Sequence, residues 1–192
     1  MLLNIGRDDM ELVEPIRSEK QVKGMANYLK GKSERDYALF ILGINSGLRI
    51  SDLLKLTVDD VAERDRISIK EEKTGKIKDF PLSDLCKKVI KDYLKNQSSR
   101  HWLFPSRKGD KSISRIQAYR ILNEASKHVG INEQIGTHSL RKTFGYWAYK
   151  QGVDVTRIQY LLNHSAPSIT LRYIGITRDE LDDIYINLNL GK

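Results

Sequence analysis

Apolar residues recur along this 192-residue chain at two different periods. From Ser18 the spacing is helical. Val22, Met25, Ala26 and Leu29 fall three or four apart behind a serine able to cap, and Gly31 ends the run. Ser33 opens a second predicted helix over 34–45, with Tyr37, Phe40, Ile41 and Ile44 as its apolar face and Gly47 as its stop. A short helix follows over 49–56, offering Leu53, Leu54 and Leu56 to the core. The period then drops to two. Arg66-Ile67-Ser68-Ile69-Lys70 alternates, residues 71–76 supply a turn containing Gly75, and residues 77–82 alternate again, the pattern of a β-hairpin. Residues 58–61 are expected as a short third strand.

Helical spacing returns after Ser83, with Leu85, Val89, Ile90 and Leu94. A loop holds Trp102-Leu103-Phe104-Pro105 and the basic run Arg107-Lys108-Gly109-Asp110-Lys111. Ser114 starts a helix reaching about residue 129. Thr137 is expected to cap the next, ending near Gly152, and Asp154 caps another that ends at Asn163-His164. Pro167 suits the first turn of a short helix to Tyr173. The tail has a capping box, Thr177 with Glu180, and an apolar stripe at Leu181, Ile184, Tyr185 and Leu188. Residues 1–17 lack periodicity and contain Pro15. The predicted class is α+β, mainly α: an arm over 1–17, a helical domain with one small antiparallel sheet (the hairpin at about 66–82) over 18–176, and a tail over 177–192.

Composition narrows the function. Apolar content of 40% and charged content of 30% describe a soluble globular chain, and no window reaches the ~18–20 apolar residues of a membrane span. The first residues meet charge too early for a signal peptide. One cysteine, Cys86, excludes an internal disulfide and a cysteine-rich zinc site. The expected setting is cytoplasmic. A net charge of +8 points to a polyanionic partner. The segment after Tyr173 is acidic, so the excess of cations lies on the body.

Candidate chemistry begins with His138 and Arg141, three apart on one helix. Leu140, Phe144, Trp147 and Ala148 form the opposing stripe, so one side anchors the helix and the other presents imidazole and guanidinium. In isolation such a pair is more often a surface feature. Arg49 follows Gly47 at the start of its helix with Asp52 one turn on. Its planar fork matches a phosphate, although a local Arg–Asp pair would look the same. His164 and Tyr173 follow downstream. The histidines at 101, 128, 138 and 164 have no metal-ligand spacing, so neither metal nor cofactor is expected. Cations that grip a phosphate and a hydroxyl that attacks it are the parts of metal-free phosphoryl transfer.

Four boxes in this order resemble the catalytic domain of the tyrosine recombinases, the phage-integrase family. Ser46-Gly47-Leu48-Arg49-Ile50-Ser51-Asp52 is similar to its first-arginine box, and Thr137-His138-Ser139-Leu140-Arg141-Lys142-Thr143-Phe144 to its His-x-x-Arg box. Leu161-Leu162-Asn163-His164-Ser165, with Thr170 and Tyr173, is similar to its second-histidine box and nucleophile. Lys73 falls where the family carries a mobile lysine, with Lys76 as second choice and Lys70 and Lys78 beside it. The resemblance covers roughly residues 18–188.

The resemblance implies a site-specific recombinase that works without metal or ATP. Tyr173 would attack a DNA phosphodiester, giving a 3′-phosphotyrosine and a 5′-hydroxyl. Arg49 and Arg141 would hold the non-bridging oxygens, and Lys73 would protonate the leaving oxygen. His138 would assist proton transfer from Tyr173, His164 would donate to a phosphate oxygen, and Asp52 would orient the cations. Asn163 departs from the usual glycine, and asparagine suits the left-handed backbone such a glycine would supply. Implied partners are double-stranded DNA and further copies of the chain: a monomer alone, a dimer per site, a tetramer at synapsis. Lys76, Arg107, Lys108, Lys111, Arg115, Arg120 and Lys142 are expected DNA contacts, with Gln117 beside them. Rival readings are a type IB topoisomerase, which usually has lysine at the position of His138, and a non-catalytic DNA-binding regulator. The family's usual core-binding domain has no counterpart here, so the expectation is a single-domain member, with a catalytic fragment as the alternative.

Overall fold

The computed structural model describes residues 13–95, 101–176, 182 and 186–187. The first helices are α1 (Glu19–Lys32), α2 (Glu34–Ser46) and α3 (Ile50–Leu54), followed by strands β1 (Arg66–Lys70) and β2 (Ile77–Pro81). Then come α4 (Asp84–Lys95), α5 (Arg115–His128), α6 (Thr137–Lys150), α7 (Val155–Leu161) and α8 (Pro167–Tyr173). Architecture and class match the α+β reading, with mainly helical structure and one antiparallel hairpin. The tail residues Thr177, Glu180, Leu181, Ile184, Tyr185 and Leu188 lie outside the described residues.

Helix starts follow the caps. Ser18, Ser33, Ser83 and Ser114 hydroxyls each accept a backbone N–H three residues on, and Asp154 accepts from Thr156 at 2.8 Å. Pro167 stands in the first turn of α8. Thr137 differs from expectation. It is already helical, Gly136 holds the N-cap, and the Ser139 hydroxyl reaches back to accept the Gly136 N–H at 3.0 Å.

Helix α2 is the centre of the fold, packed by α1, α4 and α6. Its burial exceeds the expected stripe, because Leu39, Phe40 and Leu42 are all fully enclosed. Each such side chain contributes roughly 1.5–3 kcal/mol relative to exposure. On α4 the inward residues are Cys86, Val89, Ile90 and Tyr93, while Leu85 faces solvent. The hairpin pairs Ile67 with Phe80 and Ile69 with Lys78, so these four share its inward face. Residues 58–61 form a turn, not a third strand. The Thr57 N–H and hydroxyl both bond the Asp60 carboxylate (2.7 and 2.8 Å), which competes with a strand ladder. Thr57 itself pairs with Trp102. Among the described residues, no helix is long and apolar enough to cross a membrane.

Two apolar clusters meet along α6. Leu140 belongs to the large core with α1–α5, and Tyr146 to a smaller one with Ile158, Leu162 and Ile174. Residues 13–17 run across the same helix: the Ile16 N–H donates to Thr143 Oγ1 at 2.9 Å, and Trp147 Nε1 donates to the Ile16 carbonyl at 2.9 Å. Arg17 donates to the Gly175 carbonyl at 2.8 Å, tying this strap to the chain just beyond Tyr173.

Close approach on α6 depends on Gly145. A Cβ there would stand 2.6 Å from Ile174 Cγ2 and 3.1 Å from Leu162 Cδ1. Gly145→Val is expected to cost about 1–3 kcal/mol by overpacking. It should read out as a lower urea midpoint with an unchanged slope. An unchanged midpoint would show that the α7–α8 segment does not press on α6.

Candidate active site

Arg49 is positioned by backbone geometry. Gly47 ends α2 in the left-handed region (φ 59), where a Cβ would meet the Phe144 ring at 2.6 Å. The chain turns there, and extended Arg49 becomes the N-cap of α3. Its Nη1 lies 2.7 Å from Glu71 Oε1, a carboxylate with a wholly buried side chain. That contact is an ion pair out of hydrogen-bond alignment, since neither atom has an aligned partner. Asp52, also buried, accepts the Glu72 N–H at 2.9 Å and so pins the hairpin to α3.

Arg141 is only 3% exposed, contrary to the expected outward face of its helix. Its Nη1 donates to the Gly47 carbonyl and its Nη2 to the Leu162 carbonyl. Its charge also acts on the Tyr173 phenol. One side chain therefore joins the first-arginine turn to the second-histidine turn. Enclosure costs a bare guanidinium several kcal/mol, which explains why it is spent on sites with carbonyl partners.

Tyr173 closes α8 with its ring edge-on to His164, centroids 4.8 Å apart, and with Lys142 Nζ 5.4 Å from its ring centre. Burial raises the phenol pKa, while Arg141 and Arg49 pull it back down. His164 Nδ1 lies 3.0 Å from Thr170 Oγ1 on α8. Before it, Asn163 adopts φ 49, the left-handed conformation expected, and donates from Nδ2 to Glu71 Oε2 at 2.8 Å. His138 is held down to about 4 by burial and then by the charges of Arg115, Lys142, Arg141 and Lys73. His164 is likewise pushed to about 4, by burial and then by Arg141 and Arg49.

The structure thus gathers Arg49, Arg141, His138, His164 and Tyr173, with Asp52 beneath them. Lys73 is exposed in the hairpin turn, and its charge still reaches His138. Lys76, Arg107, Lys108, Lys111, Arg115 and Arg120 are exposed. Lys142 is not the outer contact expected: at 4% exposure it is a wall of the site against Tyr173. Among the described residues, no group of three or more His, Cys, Asp or Glu is arranged to hold a metal ion.

Two residues escaped the sequence reading. Lys78 Nζ lies 3.3 Å from both the Ser46 and Gly47 carbonyls, and burial, then Arg141, brings its pKa down to about 8. Glu71 is 1% exposed and joins Arg49 to Asn163. The signal was parity. Ile67, Ile69 and Glu71 run along one face of the hairpin, as do Lys78 and Phe80, so each charge stands at an inward position.

Comparison with known proteins follows the same outline. The phage integrase family profile matches residues 17–180. A probable integrase/recombinase, YoeC of Bacillus subtilis (strain 168), is 49% identical over 170 residues, covering 88% of this chain and 93% of that protein. Tyrosine recombinase XerD of Corynebacterium glutamicum is 31% identical over 157 residues, covering 79% of this chain and 51% of that one. The chain therefore spans nearly all of YoeC but about half of XerD. The crystal structure of XerA recombinase superposes with a TM-score of 0.74 at 23% identity, over 90% of this chain and 63% of that one. The Tn1549 transposon integrase in complex with transposon right end DNA gives 0.70 at 19%, over 98% and 70%.

Neutral burial of the two histidines makes a pH prediction. Their pKa values near 4 lie below the usual 6.5, so the unfolded chain binds more protons in between. Their stability contribution is complete above pH 6.5 and is lost as pH falls towards 4. The thermal midpoint should drop across that window, and His138→Gln combined with His164→Gln should flatten the drop. Equal slopes for both proteins would refute the burial of neutral imidazoles.

Proposed function

This chain belongs to the phage integrase family, and from that premise we propose that it cleaves and rejoins duplex DNA through a 3′-phosphotyrosine at Tyr173. The observation that carries this reading is the meeting of the motifs: Arg141 holds the Gly47 and Leu162 carbonyls, each two residues before Arg49 and His164, and the His164 ring lies edge-on to the Tyr173 ring at 4.8 Å.

The phenol oxygen attacks phosphorus, forming the Tyr173 O–P bond as the P–O5′ bond breaks. The phenol proton passes to His138, which is neutral at physiological pH and able to accept it. Lys73 delivers a proton to the departing 5′-oxygen. Arg49 and Arg141 hold the two non-bridging oxygens and offset charge in the transition state. The DNA phosphate also favours protonated His138, because an anion beside the ring counters the cations that hold its pKa down. His164 donates from Nε2 to a phosphate oxygen in the tautomer whose Nδ1 accepts the Thr170 hydroxyl across the 3.0 Å contact. Lys78 adds fixed positive potential from beneath. Reversal of the same steps by another strand's 5′-hydroxyl rejoins the backbone, and the covalent bond conserves the energy.

Exposed Lys76, Arg107, Lys108, Lys111, Arg115 and Arg120 supply backbone contacts on the DNA side, and the protein works on nucleoid DNA in the cytoplasm. A dimer occupies each site and a tetramer forms the synapse. The complete catalytic set argues against a regulator that has lost its chemistry.

A pool of nicked duplexes with randomised arms tests the proposal, because loss of the short 5′-hydroxyl fragment traps the covalent form. A protein–DNA adduct is expected on denaturing gels, absent in Tyr173→Phe and slowed roughly 10²–10³-fold in Arg141→Lys. Binding should weaken steeply between 50 and 200 mM salt as counterions are released, by about tenfold or more. No adduct at any sequence, or an adduct that survives Tyr173→Phe, would overturn the assignment.

A further inference from the structure

We infer that Glu71 is a positioning residue of the recombination site, a buried carboxylate that sets Arg49 in place and joins the hairpin to the second-histidine turn. The inference rests on the strand-transfer reading above. Three contacts carry it. Oε1 faces Arg49 Nη1 at 2.7 Å, while Oε2 accepts from Thr74 Oγ1 at 2.7 Å and from Asn163 Nδ2 at 2.8 Å. Each partner is a candidate catalytic residue or stands next to one: Arg49 itself, Thr74 beside Lys73, and Asn163 before His164.

The location excludes a merely decorative ion pair. The Glu71 side chain is fully enclosed, whereas Arg49 is 16% exposed, so the carboxylate lies behind the guanidinium and leaves its outward edge for a phosphate. Planar bidentate recognition needs the guanidinium plane fixed, and a carboxylate gripping one nitrogen from behind supplies that constraint. The backbone of Glu71 closes the turn as well, donating to the Lys76 carbonyl and accepting from the Gly75 N–H, both at 2.9 Å. Any movement of Lys73 is therefore referred to the same point.

Charge balance gives a second reason. Arg49, Arg141 and Lys78 converge here, with Glu71 and Asp52 as the acidic groups among those acting on Lys78. Burial would raise the Glu71 pKa, but the Thr74 hydroxyl and then Arg49 and Arg141 more than offset it, so the group is ionised. Asn163 explains its own departure from glycine on the same grounds. It keeps the left-handed backbone and adds an amide donor that a glycine lacks.

The test is Glu71→Gln in the full chain, assayed on the adduct-forming duplex recovered from the nicked pool. Duplex affinity should stay within about threefold and adduct amplitude should be retained, while the single-turnover cleavage rate falls at least 10-fold, in line with a misoriented group. On a duplex whose scissile phosphate is replaced by a neutral methylphosphonate, the defect should shrink below about threefold, because grip on a charged non-bridging oxygen no longer limits the rate. NMR of the arginine side chains supplies an independent reading: the Arg49 Nη signals, separated in the wild type by the ion pair, should merge in the variant. A wild-type cleavage rate in Glu71→Gln, or an equal defect on both substrates, would overturn the inference. Should that variant fail to fold, Glu71→Asp, which retains charge but withdraws it by one methylene, carries the same comparison. Absence of any wild-type adduct would sink the strand-transfer reading alone, leaving the Arg49 signals to decide whether Glu71 holds it.

Discussion

A buried guanidinium governs this structure. Arg141 lies in the second turn of α6, removed from water, and is held by two main-chain carbonyls that are far apart in sequence, those of Gly47 and Leu162. Left unpaired in the interior such a charge would be strongly destabilising. Its two carbonyl partners therefore act as constraints on the turn before α3 and the turn after α7. Both turns carry a candidate site residue two positions on: Arg49 after Gly47 and His164 after Leu162. Satisfying one buried cation assembles most of the site.

The scaffold delivers that cation by bringing helices unusually near. Gly43 and Gly145 lie on α6-facing and α6 surfaces where a Cβ would meet Leu140 at 2.5 Å and Ile174 at 2.6 Å. The large core grips the first half of α6 and the small cluster its second half. Tyr173 belongs to that second cluster, so the proposed nucleophile is carried on a separate packing unit from Arg49 and the hairpin. Arg141, the strap of residues 13–17 and the Glu71–Asn163 hydrogen bond are the links that hold the two units in register. Burial, and then the cations gathered there, has a chemical effect: both imidazoles stay neutral and the Lys78 ammonium is brought within reach of physiological pH.

Where the chain's own pattern was read directly, local physics decided the outcome. Serine and aspartate caps mark the helix starts because their side chains satisfy nearby orphan N–H groups. Alternation marks the hairpin because side chains point to opposite faces of a strand. Of three departures, the first is again local and the other two come from packing. Residues 58–61 form no strand, since Thr57 and Asp60 bond each other first. Helix α2 is buried beyond its stripe, because three helices pack on it. Arg141 and Lys142 turn inward, because α6 runs between two cores and has no outer face to spare.

The amino-acid sequence by itself determined the order of elements and the mainly helical class, both written in local spacing and residue type. Its resemblance to the family supplied the candidate residues of the phosphate chemistry, Arg49, His138, Arg141, His164 and Tyr173. Only the tertiary structure decided that Glu71 sits behind Arg49, that Lys78 caps the Ser46 and Gly47 carbonyls, and that Lys142 walls Tyr173 instead of facing outward. Those assignments depend on pairs separated by 22 to 32 residues meeting in a low-dielectric interior, where a charge is stable only beside its partner. Periodicity places a charged side chain on the inward face of a strand. Which charge waits for it there is settled by the packing of the whole chain.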